Sequence, residues 1–466
     1  MTGQVEFDVP SADSPADPTP SGIDPTELEI TLKVLAQLHE VDPEHPDYST
    51  VRRATANMFK SAKKERRLQK RALIADADRS VIAATATGAP DRIDDETRGI
   101  PLETRAGSPT AGTLLVARPC YICKQPYTQV DAFYHQLCPT CAAMSHAKRE
   151  ARTDLTGQRA LLTGGRAKIG MYIALRLLRD GAHTTITTRF PRDAARRFAG
   201  MPDSADWLHR LRVVGIDLRD PAQVVSLADS VAERGPLDIL INNAAQTVRR
   251  SPGAYAALEA AERAALPEVA DAPPVTALAL TAGSASLERI ALGTAIDAGG
   301  LVPDLAPENS WSQALGDIDP VEMLEVQLCN SVAPFILVSR LRPALAASPA
   351  RRTYVVNVSA MEGQFDRGYK GPGHPHTNMA KAALNMLTRT SAHDMLSDGI
   401  LMTSVDTGWI TDERPHPTKT RLAQEGFHAP LDLVDGAARV YDPIVRGEAG
   451  EDLHGCFLKD FEPAPW

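Results

Sequence analysis

Aromatic residues make up only 5% of this 466-residue chain, and cysteine occupies just six positions. Four of the six crowd between residues 120 and 141, which is not how a disulfide framework is spread through a secreted fold, so the thiols read as reduced. No apolar run reaches the length of a bilayer span. The acidic opening MTGQVEFDVPSADSPADPTP lacks the apolar core of a signal peptide or anchor, which makes a cytoplasmic protein the expectation. Charge of neither sign dominates: a net −9 argues against binding nucleic acid or membrane over the whole surface. Internal repeats are also missing. What remains is ordinary for a globular protein, 43% hydrophobic and 23% charged. The length calls for one large domain and at least one smaller unit.

Residues 1–22, rich in Pro, Ser and Asp, read as a disordered tail. A helical region over 23–90 follows. Asp24 is placed to cap its first helix, with Pro25 at the first helical position and Glu27 three residues after the cap. Leu28, Leu32, Leu35 and Leu38 form one apolar stripe. A second helix over about 48–85 carries nine Lys/Arg between Arg52 and Arg71. With a single aromatic residue, Phe59, in the run and no interleaved aromatic pattern for base stacking, this is a solvated face or an arm for a protein partner. Residues 91–150 form a linker and a cysteine module. From 151 to 466 short β-rich runs (RALLTGG, HTTITTR, LRVVGID, LDILIN, RTYVVNV, ILMTSV) alternate with helical segments. That order predicts an α/β fold, a Rossmann-type doubly wound parallel sheet. An Ala/Pro-rich insertion over about 246–320 is far longer than a βα connection needs, and AYAALEAAERAAL within it reads as helix.

The module CYICKQPYTQVDAFYHQLCPTC sets Cys120 and Cys123 in one CxxC and Cys138 and Cys141 in another. Two such knuckles joined by a hairpin supply the four soft ligands of a tetrahedral zinc site, as in a zinc ribbon. Four protein ligands close the site, so the ion would hold structure and not activate water. The module would fasten the helical region to the sheet domain or present a partner surface.

LLTGGRAKIG follows the first β-run and opens a helix, where a pyrophosphate meets backbone amides. INNAA, GIDLRD and NVSAMEG before AKAAL join it, and together these motifs resemble the short-chain dehydrogenase/reductase superfamily over about 155–466, outside the insertion. The resemblance implies that Thr163, Gly164 and Gly170 form the cofactor turn. Lys168 stands where its middle glycine belongs, either crowding the pyrophosphate or pairing with a phosphate. Asp217 matches the adenine contact, Asn242, Asn243 and Ala244 the element that braces the sheet and lines the cofactor, and Gly408 the segment beside the nicotinamide. In TTRFPRDAARR, Arg189 sits at the end of the second strand with no carboxylate before it for a ribose hydroxyl; with Arg166 in the turn, it implies NADP(H) over NAD(H).

By the same resemblance Lys381 is the lysine of the catalytic tetrad and Asn330 its asparagine. The serine position falls on Ala360, with Ser359 next to it pointing to the other face. The tyrosine position falls on Thr377, whose hydroxyl titrates far above the ~10 of tyrosine and is no ordinary proton donor. Three accounts stay open. Another acid takes over, from Tyr369, His374 or His376 in RGYKGPGHPH, with His376 and Tyr369 the leading candidates. Alternatively the substrate supplies its own proton, or the chain binds NADP(H) without turning it over. The reading is an atypical NADP(H)-dependent oxidoreductase on a carbonyl/alcohol substrate, carrying structural zinc. Its rivals are a lapsed cofactor-binding scaffold or sensor that recruits a partner, and a non-redox lyase, epimerase or cyclase. Homo-oligomerisation through the helices near 320–347 and 377–397 is implied by the resemblance.

Overall fold

In the computed structural model, placement is described for residues 22–92, 102–104, 107–250, 252–263, 275–277, 305–411 and 413–466. The expected tail, apart from Gly22, and much of the linker and insertion lie outside them. The chain divides into two units, Met1–Ala75 and Asp76–Trp466.

In the first unit, α1 (Pro25–Gln37) starts where expected: the Asp24 carboxylate accepts from the backbone N–H of Thr26 at 2.7 Å and of Glu27 at 3.2 Å. Its leucine stripe is exposed at Leu28, Leu32 and Leu35. Helix α2 (Pro46–Ala83) carries the basic run, all of it exposed as on a solvated face.

The second unit begins with the last turns of α2, where buried Asp78 accepts from the Leu115 N–H at 2.6 Å. Strands β1 (Thr110–Pro119) and β2 (Pro126–Asp131) form an antiparallel hairpin, and α3 (Pro139–Glu150) follows. The main sheet then starts with β3 (Arg159–Leu162), α4 (Lys168–Arg179), β4 (His183–Thr188), α5 (Pro191–Ala199), β5 (Leu211–Gly215), α6 (Pro221–Ala232) and β6 (Ile239–Asn242). The insertion supplies α7 (Ala256–Arg263), within its expected helical stretch, and β7 (Val275–Ala277). The chain continues through α8 (Pro320–Gln327), α9 (Ala333–Ala346), β8 (Thr353–Ser359), α10 (Pro375–Leu396) and β9 (Ile400–Asp406). It ends with α11 (His416–Gln424), α12 (Leu433–Glu448), β10 (Phe457–Lys459) and β11 (Glu462–Ala464).

The sheet order is β11-β10-β9-β8-β6-β3-β4-β5-β7, parallel throughout except for the terminal β10–β11 pair. Strand β3 lies inside: the chain runs outward through β4 to β5, returns to β6 on the other side of β3, adds β7 beside β5, and then runs through β8 and β9 to the other edge. This is the doubly wound topology expected, and its switch point lies where β3 and β6 end. Every residue of β8 and β9 is buried, as strands covered on both faces must be. Alternation along β8 sends Tyr354, Val356 and Val358 into a core with α4 and α12, and Val355 into one with α6 and α9.

One expectation needs correction. The unbroken helical stretch Pro320–Ala346 has 27 residues, and an 18-residue window within it reaches a mean hydropathy of 1.4, enough by length and composition to cross a membrane. Here Val326 and Ala333 are buried along it, and Leu337, Leu341 and Leu345 pack against α6 residues Val224 and Leu227 in the second core.

Candidate active site

Above the switch point opens a cleft of about 1280 Å³. Its floor is the turn after β3. Gly164 has φ +70°, and a Cβ there would stand 2.9 Å from the Ala244 Cα. A Cβ on Gly170 would overlap the Gly164 carbonyl oxygen and lie 2.8 Å from Asn243 Nδ2, so both positions require glycine. Thr163 Oγ1 accepts from the N–H of Asn243 and of Ala244, both at 3.0 Å, while Asn243 Nδ2 donates to the Thr163 and Gly164 carbonyls. These bonds tie the turn to the end of β6. Lys168 takes φ +52°, the left-handed shape its usual glycine would adopt freely, and its ammonium pairs with Glu413 Oε1 at 3.2 Å. The N-cap of α4, Ala167, makes no side-chain cap hydrogen bond, and the N-terminus of the helix faces the cleft.

Of the cofactor candidates, Gly164, Arg166, Gly170, Arg189, Asp217, Asn243, Ala244, Lys381 and Gly408 line the cleft. Thr163 and Asn242 do not; they act from beneath. Asn242 Nδ2 donates to Asn357 Oδ1 at 2.8 Å, and that residue's Nδ2 donates to Thr388 Oγ1 at 2.9 Å, a buried chain that braces β6 against β8 and α10. Asp217 is bonded by Arg219 at 2.5 Å; burial alone would lift its carboxyl, but the Arg219 hydrogen bonds hold it below the usual range. Arg189 lies over the Tyr255 ring at 4.9 Å, and Tyr255 stacks on Phe190. The insertion thus builds part of this end of the cleft. Arg166 sits over Phe190 and pairs with Asp193 at 2.6 Å.

At the other end stand Lys381, Asn330, Thr377, Cys329, Ala360, Glu362 and Asp406. Asn330 lies in a π-helical turn, Leu328–Val332, between α8 and α9. Its amide closes on the Gln246 backbone, accepting from the N–H at 2.7 Å and donating to the carbonyl at 3.0 Å. Lys381 Nζ donates to the Val358 carbonyl at 2.7 Å, and burial depresses its ammonium to about 8. Thr377 lines the cleft one helical turn before it and donates to the His374 carbonyl at 2.9 Å. Ser359 also lines the cleft, but its Oγ is engaged by Asn385 Oδ1 at 2.6 Å.

Neither leading relay candidate is part of this wall. Tyr369 is 75% exposed outside the cleft. His376 is buried on the other side of α10, its Nε2 3.6 Å from Glu322 Oε1, because one residue along a helix turns the side chain by about 100°. His374 is held flat on Trp311, centroids 3.8 Å apart, with Nδ1 2.9 Å from the Trp311 carbonyl oxygen. That stack brings the end of the insertion to the cleft rim. The sequence reading passed over Asp406 as an acid. It lies at the end of β9, burial pushes it up to about 6, and its Oδ1 accepts from the Met361 N–H at 3.1 Å. A carboxylate closing a fully buried strand was the signal available.

The four cysteines meet as expected, with all four sulfurs within 4.8 Å of one another and Cys123 and Cys138 3.7 Å apart. Cys120 and Cys123 stand on the β1–β2 turn, Cys138 caps α3 and Cys141 lies in its first turn. Cys138 N–H points at Cys120 Sγ from 3.3 Å. The donor set fits a closed tetrahedral ion. The neighbouring His135 and His146 bond elsewhere, to Thr87 and Asp131.

A family model described as short chain dehydrogenase matches residues 158–266. The chain is 35% identical over 345 residues to the uncharacterized protein R665 of Acanthamoeba polyphaga mimivirus, covering 70% of this chain and 71% of that protein. A probable oxidoreductase of Streptomyces antibioticus is 42% identical over 91 residues, 20% of this chain and 30% of its own. Among solved structures, a short chain dehydrogenase from Burkholderia cenocepacia in complex with NADP superposes with a TM-score of 0.44 at 22% identity, over 66% of this chain and 97% of that one.

Proposed function

This chain belongs to the short-chain dehydrogenase/reductase family, and from that premise we propose that it is an NADP(H)-dependent oxidoreductase for a carbonyl/alcohol pair, with an altered proton donor and a structural zinc ion. The observation that carries the reading is the convergence of Arg166, Arg189, the glycine turn and Lys381 on one cleft. Gly164, Gly170 and the N-terminus of α4 suit a pyrophosphate, and Arg166 and Arg189 suit a 2′-phosphate. Zinc would be held by Cys120, Cys123, Cys138 and Cys141.

When bound, the nicotinamide supplies or takes up a hydride at the substrate carbon. The proton is the chain's own task. With Ala360 and Thr377 at the serine and tyrosine positions, we assign it to Lys381, whose depressed ammonium suits proton transfer near neutrality. It donates to the developing alkoxide and is reprotonated from the open cleft. Asn330 holds the Gln246 backbone at the wall and orients the substrate side.

The test is titration with NADPH and NADH, using Lys381→Ala as control, followed by a carbonyl screen. Tight NADPH binding that the variant weakens, with NADPH consumed, supports the reading. Binding without turnover transfers the function to a scaffold or sensor, the reading favoured by the replaced serine and tyrosine. Product formed with NADPH unconsumed points to lyase, epimerase or cyclase chemistry. We further infer a cytoplasmic location, a protein partner for the α1–α2 region, and homo-oligomers through exposed Val321, Leu324 and Phe335 with Met379 and Met386 of α10. Light scattering on the purified chain tests the last.

A further inference from the structure

One residue of the cysteine module reaches the cofactor cleft. Tyr121, the first residue inside the CYIC knuckle, lines it. Its phenolic oxygen accepts a hydrogen bond from the Trp409 N–H at 2.9 Å. Trp409 follows Thr407 and Gly408, and all three line the cleft immediately after Asp406. Gly408 has φ +75°, so the chain turns sharply here, and the Trp409 N–H finds its acceptor outside the sheet domain. The Trp409 carbonyl accepts from the Leu431 N–H at 3.3 Å. The Leu431 carbonyl in turn accepts from Arg92 Nη2 at 2.5 Å.

The knuckle that carries Tyr121 is built for a metal. Cys120 N–H donates to the Gln125 carbonyl at 2.9 Å, and Lys124, at φ +62°, returns its N–H to the Cys120 carbonyl at 3.1 Å. Tyr121 N–H donates to the Gln136 carbonyl at 2.8 Å, tying the first knuckle to the segment that leads to the second. Four sulfur atoms within 4.8 Å repel as thiolates, and a divalent ion turns that repulsion into the bond that closes the knuckle.

We propose that the cysteine-bound metal is a working part of the cofactor site: it fixes Tyr121, and Tyr121 sets the Thr407–Gly408–Trp409 backbone at the reactive end of the cleft, so that metal and NADPH bind cooperatively. This rests on the NADP(H) reading of the cleft. Tyr121 is a positioning residue, acting through the Trp409 amide. Linkage makes the effect reciprocal: NADPH slows metal release by the same coupling that lets metal tighten NADPH.

The experiment uses the full chain loaded with zinc, and compares wild type with Tyr121→Phe, which keeps the ring and all four sulfurs. Metal content, melting temperature and NADPH dissociation constant are measured for both. The rate of zinc loss to a chelator is followed with and without NADPH. The variant keeps its zinc, loses a few degrees of melting temperature because the Trp409 amide has lost its acceptor, and binds NADPH about tenfold more weakly because the backbone that amide held is no longer set. NADPH slows zinc loss from wild type and not from the variant. If Tyr121→Phe binds NADPH as wild type does, or if NADPH slows zinc loss equally in both, the coupling is refuted while the cofactor reading stands. If wild type binds no NADPH, both fall together.

Discussion

Replacing Lys381 by methionine separates the cost of this lysine from its use. Its ammonium is depressed from an ordinary 10.5 to about 8, first of all by burial against the cleft wall. A charged form disfavoured by about 2.5 units costs the folded protein about 3 kcal/mol at pH 7. The sign follows from proton counting. Below pH 8 both states hold the proton and the whole cost is present. Between 8 and 10.5 the folded state has released it and the unfolded state has not, so stability rises with pH. Above 10.5 the cost is gone. At pH 9.5 less than half of it remains. Methionine also strands the Val358 carbonyl that Nζ now serves, a constant loss of about 1 kcal/mol at either pH. Urea unfolding of both proteins at pH 7 and pH 9.5 isolates the titrating part. The gap between Lys381→Met and wild type, in favour of the variant, shrinks by about 2 kcal/mol on going to the higher pH, while NADPH turnover is lost at both. A gap that does not change with pH would refute burial as the cause of the depressed ammonium, and with it the assignment of the proton to Lys381.

Gly170→Ala places a methyl against the Gly164 carbonyl oxygen and Asn243, so it opens the turn; NADPH titration shows binding lost and stability lower by about 1–3 kcal/mol. Arg189→Ala weakens NADPH about ten- to a hundredfold and leaves NADH unchanged, read as the ratio of dissociation constants. Arg149→Met leaves Asp432 and Asp435 buried without the guanidinium 2.5 and 3.1 Å away, and denaturation at pH 7 shows about 3–5 kcal/mol lost. Metal analysis finds one zinc per chain, and Cys120→Ser abolishes it.

The six strands expected from β-rich runs are all present, because each is a short run rich in aliphatic or β-branched residues lying between helical segments. Helix α12 was not expected. Its sequence, LVDGAARVYDPIVRGE, breaks the apolar period with acids, arginines, glycine and proline, yet Asp435, Arg439 and Asp442 are buried. Their partners lie far off in the chain: Tyr134 and Arg149 hold Asp435, and Lys148 holds Asp442 at 2.6 Å. Strand β7 was hidden for a different reason, being three residues in an Ala/Pro-rich insertion that only becomes a strand beside β5. In the cleft, the glycine turn, Asn243, Arg189 and Lys381 were legible because each sits at a fixed offset from a strand end. The relay was not. Whether His376 or Thr377 faces the cleft depends on how α10 is rotated against α8, and Glu322 on α8 takes the histidine.

The sequence by itself determined the doubly wound order, the glycine turn after β3, the clustering of four cysteines, and the standing of Thr377 and Ala360 where the resemblance expects tyrosine and serine, since all of these are written in short-range spacing. Only the tertiary structure decided which groups share the reactive end of the cleft. It turned His376 and Tyr369 out of the wall, buried Asp406 and Lys381 deeply enough to move their protons, and brought Tyr121 from the cysteine knuckle to the Trp409 amide across 288 residues. Desolvation and long-range hydrogen bonds belong to packed neighbours, and no local pattern records who those neighbours are.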